Sequence, residues 1–150
     1  MQLNSLSRKL ITPVDVARNI VITTGGTTAD CKLATVVVNG TNFFDVAISE
    51  NFAISDNQAG ATTGSKAFKT VTSVVIPAQD GAGCTYSVGT GVKLGLKACM
   101  TGTEGFFHAG YGGVKEATAP TVAADASHVE SNTASLNSAM DGAHSVTLYF

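Results

Sequence analysis

Lys66–Pro77 reads KAFKTVTSVVIP. Its β-branched and aromatic side chains suit a pleated, half-buried surface. SDNQAGATTGS precedes it and AQDGAG follows, both built from glycine and small polar residues that favour turns. The pattern predicts one strong strand between two loops. From Phe68 onward, Phe68, Thr70, Thr72, Val74 and Ile76 share one face at period two, with Lys66 leading the row. Ala67, Lys69, Val71, Ser73 and Val75 fill the other face. The run Val74-Val75-Ile76 breaks the alternation. It predicts burial on both faces near the strand's end, and a central position in its sheet. Pro77 cannot donate to a ladder and ends the strand.

The rest of the chain repeats this style. RNIVIT (18–23) reads as a strand stopping at Gly25-Gly26, and KLATVVV (32–38) as another. Asn39-Gly40 between KLATVVV and FFDVAIS (43–49) predicts a hairpin turn, because both residues tolerate positive φ. ENFAI (50–54) continues the return, and 55–65 reads as a loop. CTYSV (84–88) is a further strand. GTGVKLG (89–95) has the spacing GxGxxxG with no helix after it. It reads as a tight glycine turn rather than a nucleotide loop. ATAPTV, within 117–124, is extended. Ser127-His128-Val129-Glu130 has capping-box spacing for at most one helical turn. HSVTLY (144–149) closes the chain as a strand.

With seven to nine short strands and no crossover helix, the expected fold is all-β. It is an antiparallel β-sandwich or barrel forming one domain over 18–150. Residues 1–17, polar and interrupted by Pro13, read as an extended N-terminal arm.

Composition narrows the function. The 150 residues carry a net charge of −2, and charged side chains make up 13%, about half the share usual in soluble domains. So few charges suit a surface partly covered by neighbours better than that of a free monomer. Arg8, Lys9 and Arg18 are the only basic concentration. There is no basic stripe with interleaved aromatics, which argues against nucleic-acid binding. No apolar run reaches membrane-spanning length, and residues 1–12 lack the apolar centre of a signal peptide. The expectation is a chain made in a cytoplasm, with no membrane partner.

Reactive groups are scattered. Asp45, Glu50 and Asp56 lie singly in the chain, and no nucleophile elbow accompanies the Ser, His and Asp residues. SDNQAG lacks the glutamate of a calcium loop. Cys31, Cys84 and Cys99, with His108, His128 and His144, show no zinc spacing. The reading is therefore a non-enzymatic chain with no cofactor and no metal. The preferred reading of the cysteines is three buried or half-buried free thiols. The sharper one is a single disulfide with a leftover thiol, which could link subunits. Cys84 and Cys99 are near enough in sequence to lie on neighbouring strands. The densest aromatic cluster is EGFFHAGYGGVKE (104–116). Its Phe106, Phe107 and Tyr111 either plug the end of the sandwich or form a partner or sugar-stacking surface.

FAISDNQAGATTGSKAFKTVTSVVIPAQDGAGCTYSVGTGVKLGL (52–96) and ATAPTV with ESNTASLNSAMDGAHSVTLYF (130–150) resemble small virion structural proteins of tailed bacteriophages. The resemblance covers roughly residues 18–150. It implies a non-enzymatic particle component, a capsid decoration (cement) protein that binds the major capsid protein or copies of itself and is oligomeric on the virion. In that setting the arm, with Arg8 and Lys9, would order on the particle. Phe106, Phe107 and Tyr111 would be candidate contacts. A tail, neck or collar protein and a carbohydrate-binding module are the alternatives.

Overall fold

The computed structural model describes residues 6–8, as backbone only, and residues 16–150. The chain is all-β, as expected. Strand β1 (Leu6–Arg8) joins β6 (Thr70–Ile76), β3 (Ala34–Thr41) and β4 (Ala47–Ile54) in one four-stranded sheet, in that order. A five-stranded sheet runs β10 (Thr121–Ala123), β11 (Thr133–Ser135), β7 (Cys84–Gly95), β2 (Arg18–Gly26) and β5 (Gly60–Phe68). A third, small sheet holds β12 (Val146–Tyr149), β8 (His108–Tyr111) and β9 (Val114–Lys115). Every pairing is antiparallel.

The two larger sheets face each other across one core. Ile20 and Ile22 come from β2, Val36 and Val38 from β3, and Phe52 and Ile54 from β4. Phe68, Val71 and Val74 come from the segment quoted first. A second cluster, Leu96, Met100 and Ala134 with half-buried Phe106, Val122 and Leu148, lies beneath the third sheet.

KAFKTVTSVVIP is two strands rather than one. β5 ends at Phe68, Lys69 breaks the ladder, and β6 begins at Thr70 in the opposite sheet. The chain changes sheets here, which is how sandwich corners are made. Ala67 and Phe68 are both buried, so the alternation slips at the corner. It slips again where the β3–β6 register shifts between Asn39 and Gly40. Thr72 is exposed beside half-buried Ser73, and Val71, Val74 and Ile76 turn inward. The expected double burial at the end fails: Val75 is 40% exposed. The expected central position holds, because β1 covers the far side of β6.

The hairpin after KLATVVV exists, but Asn39-Gly40 is not its turn. Both residues lie inside β3, and the chain reverses at 42–46 with Asp45 at φ 63°. Buried Asn42 builds the turn, its Oδ1 accepting the N–H groups of Phe44 and Val46. Gly40 serves a close approach instead. A Cβ there would lie 2.0 Å from the Thr70 carbonyl oxygen and 2.9 Å from the Phe68 ring. Gly40→Ala must push the sheet-switching corner aside and is expected to cost about 1–3 kcal/mol in urea unfolding. An unchanged midpoint would refute the close-packing account.

GTGVKLG is likewise not a turn. It continues β7, whose twelve residues pair with β2 and β11. Gly91 is glycine because Asn19 lies against it, with Oδ1 2.4 Å from where a Cβ would stand. Asn19 is fully buried at a register shift of β2 and bridges both neighbours. Its Nδ2 donates to the Gly64 carbonyl, and its Oδ1 accepts the Lys93 N–H. Across the same shift Glu50 of β4 accepts the N–H groups of Ser65 and Lys66. One carboxylate thus ties the two large sheets together along their open side. The expected loop 55–65 is accordingly shorter, since β5 starts at Gly60.

Candidate functional site

The third sheet gathers most of the sequence-predicted aromatic residues. Gly112 and Gly113, both at positive φ, make the two-residue turn that returns β8 into β9. Phe106 packs half-buried on the second core cluster and stacks on Phe150, with centroids 6.4 Å apart. Phe107 is 76% exposed, and its N–H donates to the Tyr149 carbonyl. His108 and Tyr149 are directly opposed across β8 and β12, and their rings stack at 4.2 Å. Tyr111 leans on His144 instead, with ring centroids 5.2 Å apart. Phe106, Phe107 and Tyr111 therefore have three separate environments and no shared stacking plane. Around this sheet the exposed aromatic side chains are Phe107, Tyr149 and Phe150. The last two lie in the closing strand expected from the sequence but were not among its candidate contacts. Strand pairing between 108–111 and 146–149 brings them in, and sequence distance hides it.

Two Asp-x-x-His turns flank this region. In each, the aspartate caps the N–H groups two and three residues on, and the histidine Nδ1 meets the same carboxylate. Asp125 accepts from Ser127 and His128, with His128 Nδ1 at 3.2 Å. Asp141 accepts from Ala143 and His144, with His144 Nδ1 at 2.6 Å. The shared spacing was visible in the sequence, but the pairing of each histidine with its aspartate is a property of the folded turn.

The Asp141 N–H donates to the Tyr111 hydroxyl oxygen. The Tyr111 hydroxyl, the Ala143 N–H and the His144 ring hold the Asp141 carboxyl far below its ordinary value of 3.8. Donation of the Tyr111 hydroxyl to the Asp141 carboxylate in turn raises Tyr111, and the Asp141 N–H opposes that shift. A depressed carboxyl stabilises the fold above its unfolded value and loses that contribution as pH falls through the folded value. The 141–144 turn is expected to stay closed at pH 3.8 and to open only in stronger acid. Amide signals of Ala143 and His144 followed by NMR from pH 6 to pH 2 check this. An Asp141→Asn variant should show no such acid transition, and opening already near pH 4 in the parent chain would contradict the assignment.

The remaining predicted residues lie elsewhere. Arg8 sits in β1 opposite Val74, and Lys9 lies outside the described residues. Asp45 pairs with Lys69 at 2.7 Å, and Asp56 accepts from Asn57. These two and Glu50 thus each serve a local structural contact. Among the described residues, no group of three or more His, Cys, Asp or Glu side chains could hold a metal ion. No helix there is long and apolar enough to cross a membrane.

The cysteine preference is overturned. Cys31 and Cys84 form a disulfide with a Cα–Cα distance of 5.1 Å, and Cys99 is an exposed free thiol. Cys84 therefore pairs with Cys31 and not with its nearer neighbour in sequence. The turn 27–31 is held against the start of β7 by backbone as well: Thr27 N–H donates to the Gly83 carbonyl, and Gly83 N–H to Asp30. The sharper expectation, one disulfide with a leftover thiol, matches this arrangement.

No protein-family model, no curated protein and no solved structure matches the chain significantly.

Proposed function

We propose that this chain is a non-enzymatic component of a tailed-bacteriophage virion, a decoration protein that binds the assembled head and stabilises it. The observation that carries the reading is where the large apolar side chains are exposed. Leu33, Phe44, Phe107 and Val114 are each at least 60% exposed and stand in turns or at strand ends of a disulfide-stapled sandwich, while Val92, 61% exposed, stands within β7. A rigid scaffold that presents apolar groups from its loops suits contact with several neighbouring subunits. Many copies, each burying a modest area, then hold by multivalency. The disulfide supports a working life outside a reducing compartment, as a released particle has. The resemblance of 52–96 and 130–150 to phage structural proteins supplies the particle.

The test is the source particle itself. Quantitative mass spectrometry of purified virions should find the chain in many copies, and a cryo-EM map should place it on the outer head surface. Density on the tail or neck would overturn the head assignment. Absence from purified virions would overturn the virion role.

A further inference from the structure

Cys31 and Cys84 have a sequence separation of 53 and are set side by side by bonds that do not involve sulfur. Cys31 closes the 28–30 turn, its N–H donating to the Thr28 carbonyl and its own carbonyl accepting the Asn57 N–H. The next N–H, that of Lys32, donates to Gln79 Oε1. Cys84 opens β7 opposite Gly26 of β2. Between the two, Thr27 and Asp30 clasp Gly83. The clasp requires its glycines: a Cβ at Gly81 would stand 2.3 Å from Asp30 Cγ, and one at Gly83 2.6 Å from Asp30 Oδ2. The two Cα atoms come to 5.1 Å, within the range a disulfide spans.

The two sulfurs are not equivalent. Cys31 is fully buried, whereas Cys84 is half-buried beside the glycine loop 81–83. Cys31 Sγ lies 3.6 Å from the Gly25 carbonyl oxygen and 3.8 Å from that of Thr27. In the reduced chain its S–H can donate to either, so opening the bridge strands no buried donor there.

We propose that this pair is a redox lock that closes in the already folded chain, with Cys84 as the thiol that exchanges with a small-molecule disulfide and Cys31 as the thiol that resolves the adduct. Exchange runs through a thiolate and a mixed disulfide, and access decides which sulfur takes part. With oxidised glutathione as the oxidant, the Cys84 thiolate attacks one glutathione sulfur, and the first glutathione leaves as its thiolate. The Cys31 sulfur, deprotonated, then attacks Cys84 Sγ, and the second glutathione leaves. The protein gives up two electrons and two protons, and the oxidised glutathione takes them up as two thiols. Reduction retraces the path: the reductant reaches Cys84 Sγ, and Cys31 is the leaving thiol. The chain is thus able to fold in reducing surroundings and to lock on leaving them. The lock is independent of the virion reading: chemistry on the purified chain tests the one, and location on the particle tests the other.

The test uses Cys99→Ser, which leaves this pair as the only cysteines. Reduced and freed of reductant, that chain should keep the near-ultraviolet circular dichroism of its oxidised form. A brief pulse of iodoacetamide, read by peptide mapping, should label Cys84 roughly tenfold faster than Cys31, and denaturing urea should abolish the difference. With oxidised glutathione, Cys31→Ala in this background should hold one glutathione on Cys84 by intact mass, while Cys84→Ala stays unmodified over the same time. With both cysteines present, the folded chain should pass to the closed bridge without accumulating adduct. In urea the adduct should accumulate, because the sulfurs are no longer held together. A reduced chain that is unfolded overturns the proposal. So does a Cys31 labelled as fast as Cys84 in the folded chain, or an adduct that accumulates as readily folded as in urea. The labelling and adduct measurements keep both cysteines, so they decide the matter even where a single-cysteine variant fails to fold.

Discussion

Reducing the Cys31–Cys84 disulfide is expected to lower stability by about 4 kcal/mol. The bridge closes a loop with a sequence separation of 53 residues. By the chain-entropy relation, a loop of that size removes on the order of 14 cal/mol/K from the unfolded ensemble, or about 4 kcal/mol at 25 °C. The native state changes little, since Thr27 and Asp30 hold Gly83 through hydrogen bonds that reduction leaves intact. The loss therefore falls on the unfolded chain. Urea unfolding with and without dithiothreitol measures it: for a slope of about 2 kcal/mol/M the midpoint should fall by roughly 2 M. Cys31→Ala with Cys84→Ala should match the reduced protein, and Cys99→Ser should match the oxidised parent. Equal midpoints with and without reductant would show that the bridge contributes nothing.

The architecture was legible because strands announce themselves locally. Runs such as RNIVIT and HSVTLY are β-branched and bounded by glycine or small polar residues, and each became a strand. Where the reading failed, a tertiary contact had overridden a local signal. Asn39-Gly40 has the strongest short turn signature in the chain, yet Gly40 is needed where Thr70 crosses β3. The glycines of GTGVKLG look like punctuation, yet Gly91 makes room for the buried Asn19 side chain. KAFKTVTSVVIP looks continuous, yet its two consecutive buried residues mark a corner between sheets. Glycine and asparagine carry two meanings, freedom in turns and closeness or hydrogen bonding in a packed sheet. Only the neighbours decide between them.

The site was less legible for the same reason. Phe106, Phe107 and Tyr111 lie close in sequence, and the fold sends them to different surroundings. Tyr149 and Phe150 lie some forty residues away, and antiparallel pairing brings them alongside.

Replacing Asn132 should loosen one end of the molecule without unfolding the other. Its side chain is fully buried and uses its whole hydrogen-bonding capacity. Oδ1 accepts the N–H groups of Met100 and Asp125, and Nδ2 donates to the carbonyls of Asp125 and His128. These bonds pin the segments 96–100 and 125–132 around the second core cluster, on which Leu148 of the third sheet packs. Asn132→Leu keeps the branched shape, with bulkier methyl groups, and leaves several buried backbone groups unpaired, each worth about 1–3 kcal/mol. Met100 N–H retains the Asp125 carbonyl as a partner, which limits the total. A loss of about 3 kcal/mol is expected. It should be uneven: in native-state hydrogen exchange the amides of β8 and β12 should lose protection, while those of Ile22 and Val38 in the main sandwich keep theirs. Uniform loss across both regions would mean that Asn132 supports the whole fold. No loss would mean that the four bonds are replaced by water. The uneven outcome alone matches a second cluster held by its own buried amide.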